Sequence, residues 1–395
     1  MISTLCGAPL SLALLANTLT VDDDGPADYS SIAAAIAAPE VADGDVLIVE
    51  PGSYDGFTLG KALTITGRGG GARPTITSKV TVSSVTRFEL VRLEVPGLHV
   101  QFVPEAATIE DCVISGSSEQ QIGLIANACP QLTVSRSVVR GLSPVTGGGG
   151  AGLLAVQSCV SLAGSDIAGG DGGTGNHDGG VAVRALQACE LLFAGGAVMG
   201  GAPGSGGGVA GSGIHVVGSV ARVRGSFFDF VLPGNPTGGT PGSSFVLEAA
   251  STLVLGRVLF SGVVEIGSPS TTLMPVEFEP FLRNVGSNGL GSTGEIDLFG
   301  PPGALAVLLI SEGEVVMTVP EFDGQLWLDP FALVFVGVFV TQGELFPEPC
   351  VYSIPIAPIL ANRSFRSQAL FPTVPGGLDP GKVSMSNPVD VFVRP

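Results

Sequence analysis

The densest gathering of chemistry-capable side chains in this sequence is the stretch GGDGGTGNHDGG at 169–180, where Asp171, Asn176, His177 and Asp178 stand among glycines. Carboxylate and amide oxygens on a backbone free to wrap suit a hard cation, and Asp171, Asn176 and Asp178 are the residues that would hold Ca²⁺. The pattern is close to the Gly-Asp nonapeptide of calcium-binding repeats, but the Asp is displaced by one position and the unit does not recur. A second chemistry for the same region is acid–base catalysis. His177 with Asp178, or Asp166 and Asp171 with Asp178, would serve if two carboxyl groups faced each other about 5 to 10 Å apart across a groove. The plain alternative is a set of solvated low-complexity inserts.

Other candidates are sparser. Arg184, Arg222 and Arg224 would clamp an anionic ligand if adjacent strands brought them to one wall; ordinary pairing with carboxylates is the competing account. His99 and His215 occupy matching settings, LHV and IHV, and read as hydrogen-bonded or exposed strand histidines. Cys129, Cys159 and Cys189 recur at a 30-residue interval in IANACPQL, AVQSCVSL and ALQACELL. Stacked in a row they act as small apolar residues or as a disulfide pair, since a linear row does not supply zinc's tetrahedron.

The balance of 35 acids against 17 bases, a net charge of −18, disfavours nucleic acid and anionic membrane surfaces as partners. Runs such as Phe331–Val340 are about half the roughly 20 residues a spanning helix requires, so they read as buried strands. The run Pro9–Ala16 has the length of a signal h-region, yet no Lys or Arg precedes it; a signal segment and an N-terminal strand both remain open for 1–20.

The elements that must position these residues are repetitive. ATIEDCVISG, QLTVSRSVVRG, SLAGSDIAGG and ELLFAGGAVMGG alternate apolar with polar or small residues, the signature of strands with one face in a core. Glycine-rich stretches at 141–152, 169–180, 200–213 and 232–243 follow the second strand of successive units, so stacked coils would project them as one fringe and glycine would serve the sharp corners. A unit of this period cannot bury its apolar face alone and must stack into a solenoid. DYSSIAAAIAA predicts a helix over Tyr29–Ala38, capped by Asp28 or Ser30 and stopped by Pro39, placed across the solenoid's open end. Beyond Leu273 the period is lost; 274–294 reads as a linker, and 295–395 holds some seven short strands that suggest a β-sandwich, with Trp327 as a core anchor.

The segment DYSSIAAAIAAPEVADGDVLIVEPGSYDGFTLGKALTITG resembles the start of right-handed parallel β-helix proteins of the pectin-lyase-like superfamily. The resemblance covers Val21–Leu273 as architecture and implies an all-β, right-handed parallel β-helix over 21–273 with an N-terminal capping helix. The end of the chain, with GSTGEIDLFGPPGALAVLLIS and QALFPTVPGGL, resembles a β module appended to secreted proteins of environmental bacteria. Members of the superfamily that cleave acidic polysaccharides need a carboxylate cluster and a nearby Arg or Lys. Here Lys is absent between Lys79 and Lys382, and Asp between Cys112 and Gly294 is limited to Asp166, Asp171, Asp178 and Asp229. The expectation is therefore a secreted or cell-surface protein with a non-catalytic structural or binding role toward polysaccharide or the cell envelope, requiring no cofactor unless Ca²⁺. The rivals are a polysaccharide lyase or glycoside hydrolase, and an adhesin or surface-layer component.

Overall fold

The computed structural model describes residues 17–395 except 225–228, 237, 257, 268–270, 276–280, 285–291, 312–316, 319–321, 324, 329–332, 342–347, 355–363, 373–382 and 394–395. Cys6 and the apolar run Pro9–Ala16 lie outside the described residues.

The chain folds as an all-β, right-handed parallel β-helix of about eight turns, followed by antiparallel sheets arranged as a sandwich-like module. Each coil visits three faces. The first is a nine-stranded parallel sheet that includes Leu98–Gln101, Leu124–Asn127, Leu153–Val156, Val183–Leu186 and Ile214–Val217. The second and third merge into one 18-stranded sheet, because in two coils a single strand, Cys159–Ala168 or Glu190–Met199, runs through the corner between them.

Alternation along each strand sends every second side chain inward. On the first face Leu98, Leu124, Leu153, Val183, Ile214 and Phe245 stack coil on coil, all fully buried. Each such burial contributes about 1.5–3 kcal/mol, which is what makes neighbouring coils mutually dependent.

The corners meet the expectation of glycine in part: Gly218, Gly164 and Gly195 take left-handed angles there, but in other coils the same positions hold other residues. The first-to-second turn holds Ser84, Phe102, Ala128, Gln157 and Gln187 at φ between 49° and 60°, and the second-to-third holds Arg92, Asp111 and Arg136 at φ between 47° and 59°. A non-glycine residue in this left-handed region is strained by roughly 1–2 kcal/mol. The regular N–H to carbonyl ladder on both sides holds it there: Phe102 N–H donates to Asn127, Ala128 to Val156 and Gln157 to Leu186.

The capping helix is shorter than predicted, Ile32–Ala37, with Ser31 as N-cap through its Oγ and the Ala34 N–H. Asp28 and Tyr29 are withdrawn from it by the first strand, Thr18–Val21: the Asp28 carboxylate accepts the Thr20 N–H at 2.7 Å, and Tyr29 exchanges backbone bonds with Thr20 and Asp22. Ile32, Ala35 and Ile36 are buried in the core that runs the length of the solenoid.

The C-terminal module lies against the second face. That face's outward rows, Thr108–Thr133–Ser161–Leu192 and Glu110–Ser135–Ala163–Ala194, are buried although five of the eight are polar. Ala163 joins the cluster of Leu282, Ile296 and Leu298, and Ala194 packs on Phe299. Arg366, 1% exposed, donates to Thr133 Oγ1 at 2.9 Å and lies 5.5 Å from the ring centroid of Trp327, itself fully buried as a core anchor. Phe281–Asn284, within the stretch read as a linker, pairs antiparallel with Thr293–Phe299.

Candidate functional site

The four glycine-rich segments are hydrogen-bonded to one another by their backbones. Gly150 N–H donates to Leu142, Gly170 to Gly150, Gly180 to Gly170, Gly201 to Gly180, Gly211 to Gly201 and Gly234 to Gly211, at 2.7–2.9 Å. The line zigzags between the outgoing and returning legs of successive loops. Glycine is required here for closeness rather than for unusual backbone angles: a Cβ on Gly170 would sit 1.9 Å from the Leu142 carbonyl oxygen, and one on Gly201 1.9 Å from that of Gly170.

This packing decides what the loop acids can do. Asp166 Oδ1 accepts the N–H of Ala197 at 3.2 Å, Asp171 Oδ1 that of Ala202 at 2.7 Å, and Asp178 Oδ1 that of Val209 at 2.8 Å. In each case the donor is 31 residues further on, in the next coil, so the carboxylates fasten one coil to its neighbour. Asn176 is exposed and forms a bridge with Gly207, and the His177 carbonyl accepts from Gly204. Among the described residues the ligand-capable group whose donor atoms gather within 4.8 Å is Asp22, Asp23 and Asp24 at the other end of the rod; Asp171, His177 and Asp178 do not converge in this way.

The arginines are separated. Arg184 is exposed on the first face, in register with Leu154 and His215. Arg222 and Arg224 lie on the second face, Arg222 3.8 Å from Glu190 and Arg224 buried with its Nη1 donating to the Met385 carbonyl of the C-terminal module.

The cysteine row is corrected by one position. Cys129 N–H donates to Ser158 Oγ, Ser158 N–H to Cys189 Sγ, and Cys189 N–H to Ser219 Oγ, so the column reads Cys, Ser, Cys, Ser with sequence steps of 29, 31 and 30. Cys159 sits one place along, in register with Glu190. All five described cysteines are free thiols, and burial pushes Cys112 up to about 12 and Cys350 to about 11.

What sequence reasoning missed is the outer surface of the first face. One row runs Thr81, His99, Ile125, Leu154, Arg184, His215, Val246, Glu265, and beside it run Ser83, Gln101, Asn127, Val156, Leu186, Val217, Glu248. The matching LHV and IHV strings were the available signal, since equal phase puts both histidines in the same row. His215 Nε2 lies 3.5 Å from Glu248 Oε2, and its pKa is lowered by burial and by Arg184, with Glu248 opposing. His99 is lowered by burial and by Lys79. Gln101 Nε2 donates to Ser83 Oγ at 3.1 Å.

No protein-family model and no curated protein matches this sequence. Among solved structures, the chain is similar to full-length tailspike protein 2 of the Escherichia coli O157:H7 bacteriophage CAB120, at 10% identity and a TM-score of 0.30, over 96% of this chain and 64% of that one. It is also similar to the pectin methylesterase from carrot, at 12% identity and a TM-score of 0.24, over 69% of this chain and 90% of that one. The chain thus spans less than two thirds of the tailspike's length. Scores this low support no residue correspondence and no argument about activity. Among the described residues no helix is long and apolar enough to cross a membrane.

Proposed function

We propose that this protein is a non-catalytic binding rod of the cell exterior, whose ligand is an extended carbohydrate lying along the first face of the solenoid. The observation that carries the reading is that Asp166, Asp171 and Asp178 each give one carboxylate oxygen to a backbone N–H of the next coil, which assigns all three a part in fastening coil to coil. The second face is covered by the C-terminal module, and the first face carries a row of polar groups that are at least partly exposed: His99, Gln101, Asn127, Arg184, His215 and Glu248. Coils repeat at about 4.8 Å, so these groups form a ladder of donors and acceptors along the axis, interleaved with Ile125, Leu154 and Val156, which suits a polymer presenting hydroxyls and C–H faces in turn.

The test is affinity electrophoresis of the full chain through gels containing a panel of soluble polysaccharides, with parallel assays for new reducing or unsaturated ends. Retardation by at least one polysaccharide, weakened several-fold in Arg184→Ala and His215→Ala and unaccompanied by new ends, is the expected result. Absence of retardation on every polysaccharide removes the carbohydrate ligand. Release of ends that Asp178→Ala abolishes replaces this reading with the lyase or hydrolase one.

A further inference from the structure

The strand Leu333–Val340 is the outermost strand of the module's six-stranded sheet and pairs with Leu305–Ser311 on one side. Its other edge meets no described strand. Val334, Phe335, Val338 and Val340 are 59%, 60%, 56% and 53% exposed. Edge strands are ordinarily blunted by lysine, proline or inward-pointing charge, because an open row of N–H and C=O groups recruits another strand. From Leu333 to Gln342 there is neither a charged residue nor a proline. A bulge against Leu308/Leu309 is the one protective irregularity.

The residues along this edge are Val334-Phe335-Val336-Gly337-Val338-Phe339-Val340, which reads the same in both directions. When such a strand lies antiparallel to its own copy with Gly337 at the centre, Val334 faces Val340, Phe335 faces Phe339 and Val336 faces Val338. Every residue but the central Gly337 therefore meets a β-branched or aromatic cross-strand partner, and one two-fold axis generates every pair. Charge points the same way: in a chain of net charge −18, a second copy is repelled over most of the surface and least along an uncharged edge.

We propose that Leu333–Val340 pairs antiparallel with the same strand of a second copy, joining the two modules' sheets across a two-fold axis and closing both edges. A contact made by one strand edge with the neighbouring exposed Leu305 is at the small end of specific interfaces, so the dimer is a reversible one.

Sedimentation equilibrium of the full chain should show a monomer–dimer equilibrium that Val338→Lys abolishes and Val145→Lys, on a loop tip 82% exposed, leaves unchanged. Register is read separately by mixing Val334→Cys chains with Val340→Cys chains under mild oxidation. Facing residues in an antiparallel pair are about 4.5–5.5 Å apart, within disulfide reach, so linked heterodimers should form in excess over either homodimer. The cross-linking is run with Cys6→Ser in both chains; the five described native cysteines are free thiols and four of them are buried, which keeps their background low. If Val338→Lys fails to fold, the cross-linking experiment decides alone. A chain that stays monomeric across the range, a dimer that Val338→Lys leaves intact, open-ended polymers, or cross-links without the Val334–Val340 preference would each overturn the proposal.

Discussion

At the scale of single residues, titration gives the sharpest check on the first face. The chain has 3 histidines, so its imidazole resonances are few enough to follow individually. Arg184 lies in register with His215 and helps hold its pKa below 6.5. Arg184→Ala should therefore move the His215 titration upward while leaving His99, whose depression comes from burial and Lys79, in place; equal shifts at both would show that the register assigned to Arg184 is wrong. The sign for stability follows. With both histidines depressed, the folded chain binds fewer protons than the unfolded one, so this contribution is complete above pH 6.5 and is lost as pH falls through the folded values. Denaturation midpoints measured downward from pH 7 should fall in that window, and His215→Gln with His99→Gln should flatten the drop.

At the scale of elements, the glycine zigzag is the feature to probe. Gly201→Ala forces a methyl group to 1.9 Å from the Gly170 carbonyl oxygen and should destabilise the chain by about 1–3 kcal/mol, the usual range for overpacking. At Gly148 the nearest atom to an added Cβ is 3.6 Å away, so Gly148→Ala should stay within about 0.5 kcal/mol; denaturant titration of the pair separates closeness from composition. The solenoid itself was legible because alternation and a repeating unit are written directly in the residues. The detailed phase was not. Cysteine is conspicuous by name, yet Ser158 accepts and donates in the same column as Cys129 and Cys189, and that chemical equivalence let the repeat of cysteines mark the wrong neighbour at Cys159. The corners were hidden for a different reason: Ala128 and Gln157 adopt left-handed angles under the pull of the ladder, not from any preference visible in the chain. The loop acids likewise carried residue types that fit catalysis, and only the three-dimensional stacking reveals that each is held by an amide of the next coil.

At the scale of the whole molecule, the buried Arg366 ties the module to the solenoid. Trp327, the single tryptophan, lies beside it and reports the module by fluorescence, while far-UV circular dichroism is dominated by the coils. The two signals should unfold together in the native chain. Truncating this large buried side chain removes its hydrogen bond to Thr133 and its contact with Trp327 and opens a cavity, a loss of about 2–5 kcal/mol, so Arg366→Ala should bring the Trp327 transition to lower denaturant and split it from the coil transition; coincident curves in the variant would show that the contact does not couple them. Neither half of this contact could be foreseen, because Thr133 and Ser161 have the polarity of a solvated strand and acquire a covering only when the distant module folds over them.

The loops that carry the zigzag end in tips such as Val145, Thr174 and Ser205, all exposed, while most of the bonds that fix each loop are main-chain bonds, the Asp171 and Asp178 carboxylates and the Thr174 hydroxyl being side-chain exceptions. Foldedness is thereby separated from the identity of tip residues such as Val145 and Ser205. A lineage carrying this rod is free to rewrite those outward letters under selection by whatever they touch, with no compensating change inside, and the same separation makes the tips natural sites for grafting foreign peptides in a regularly spaced row.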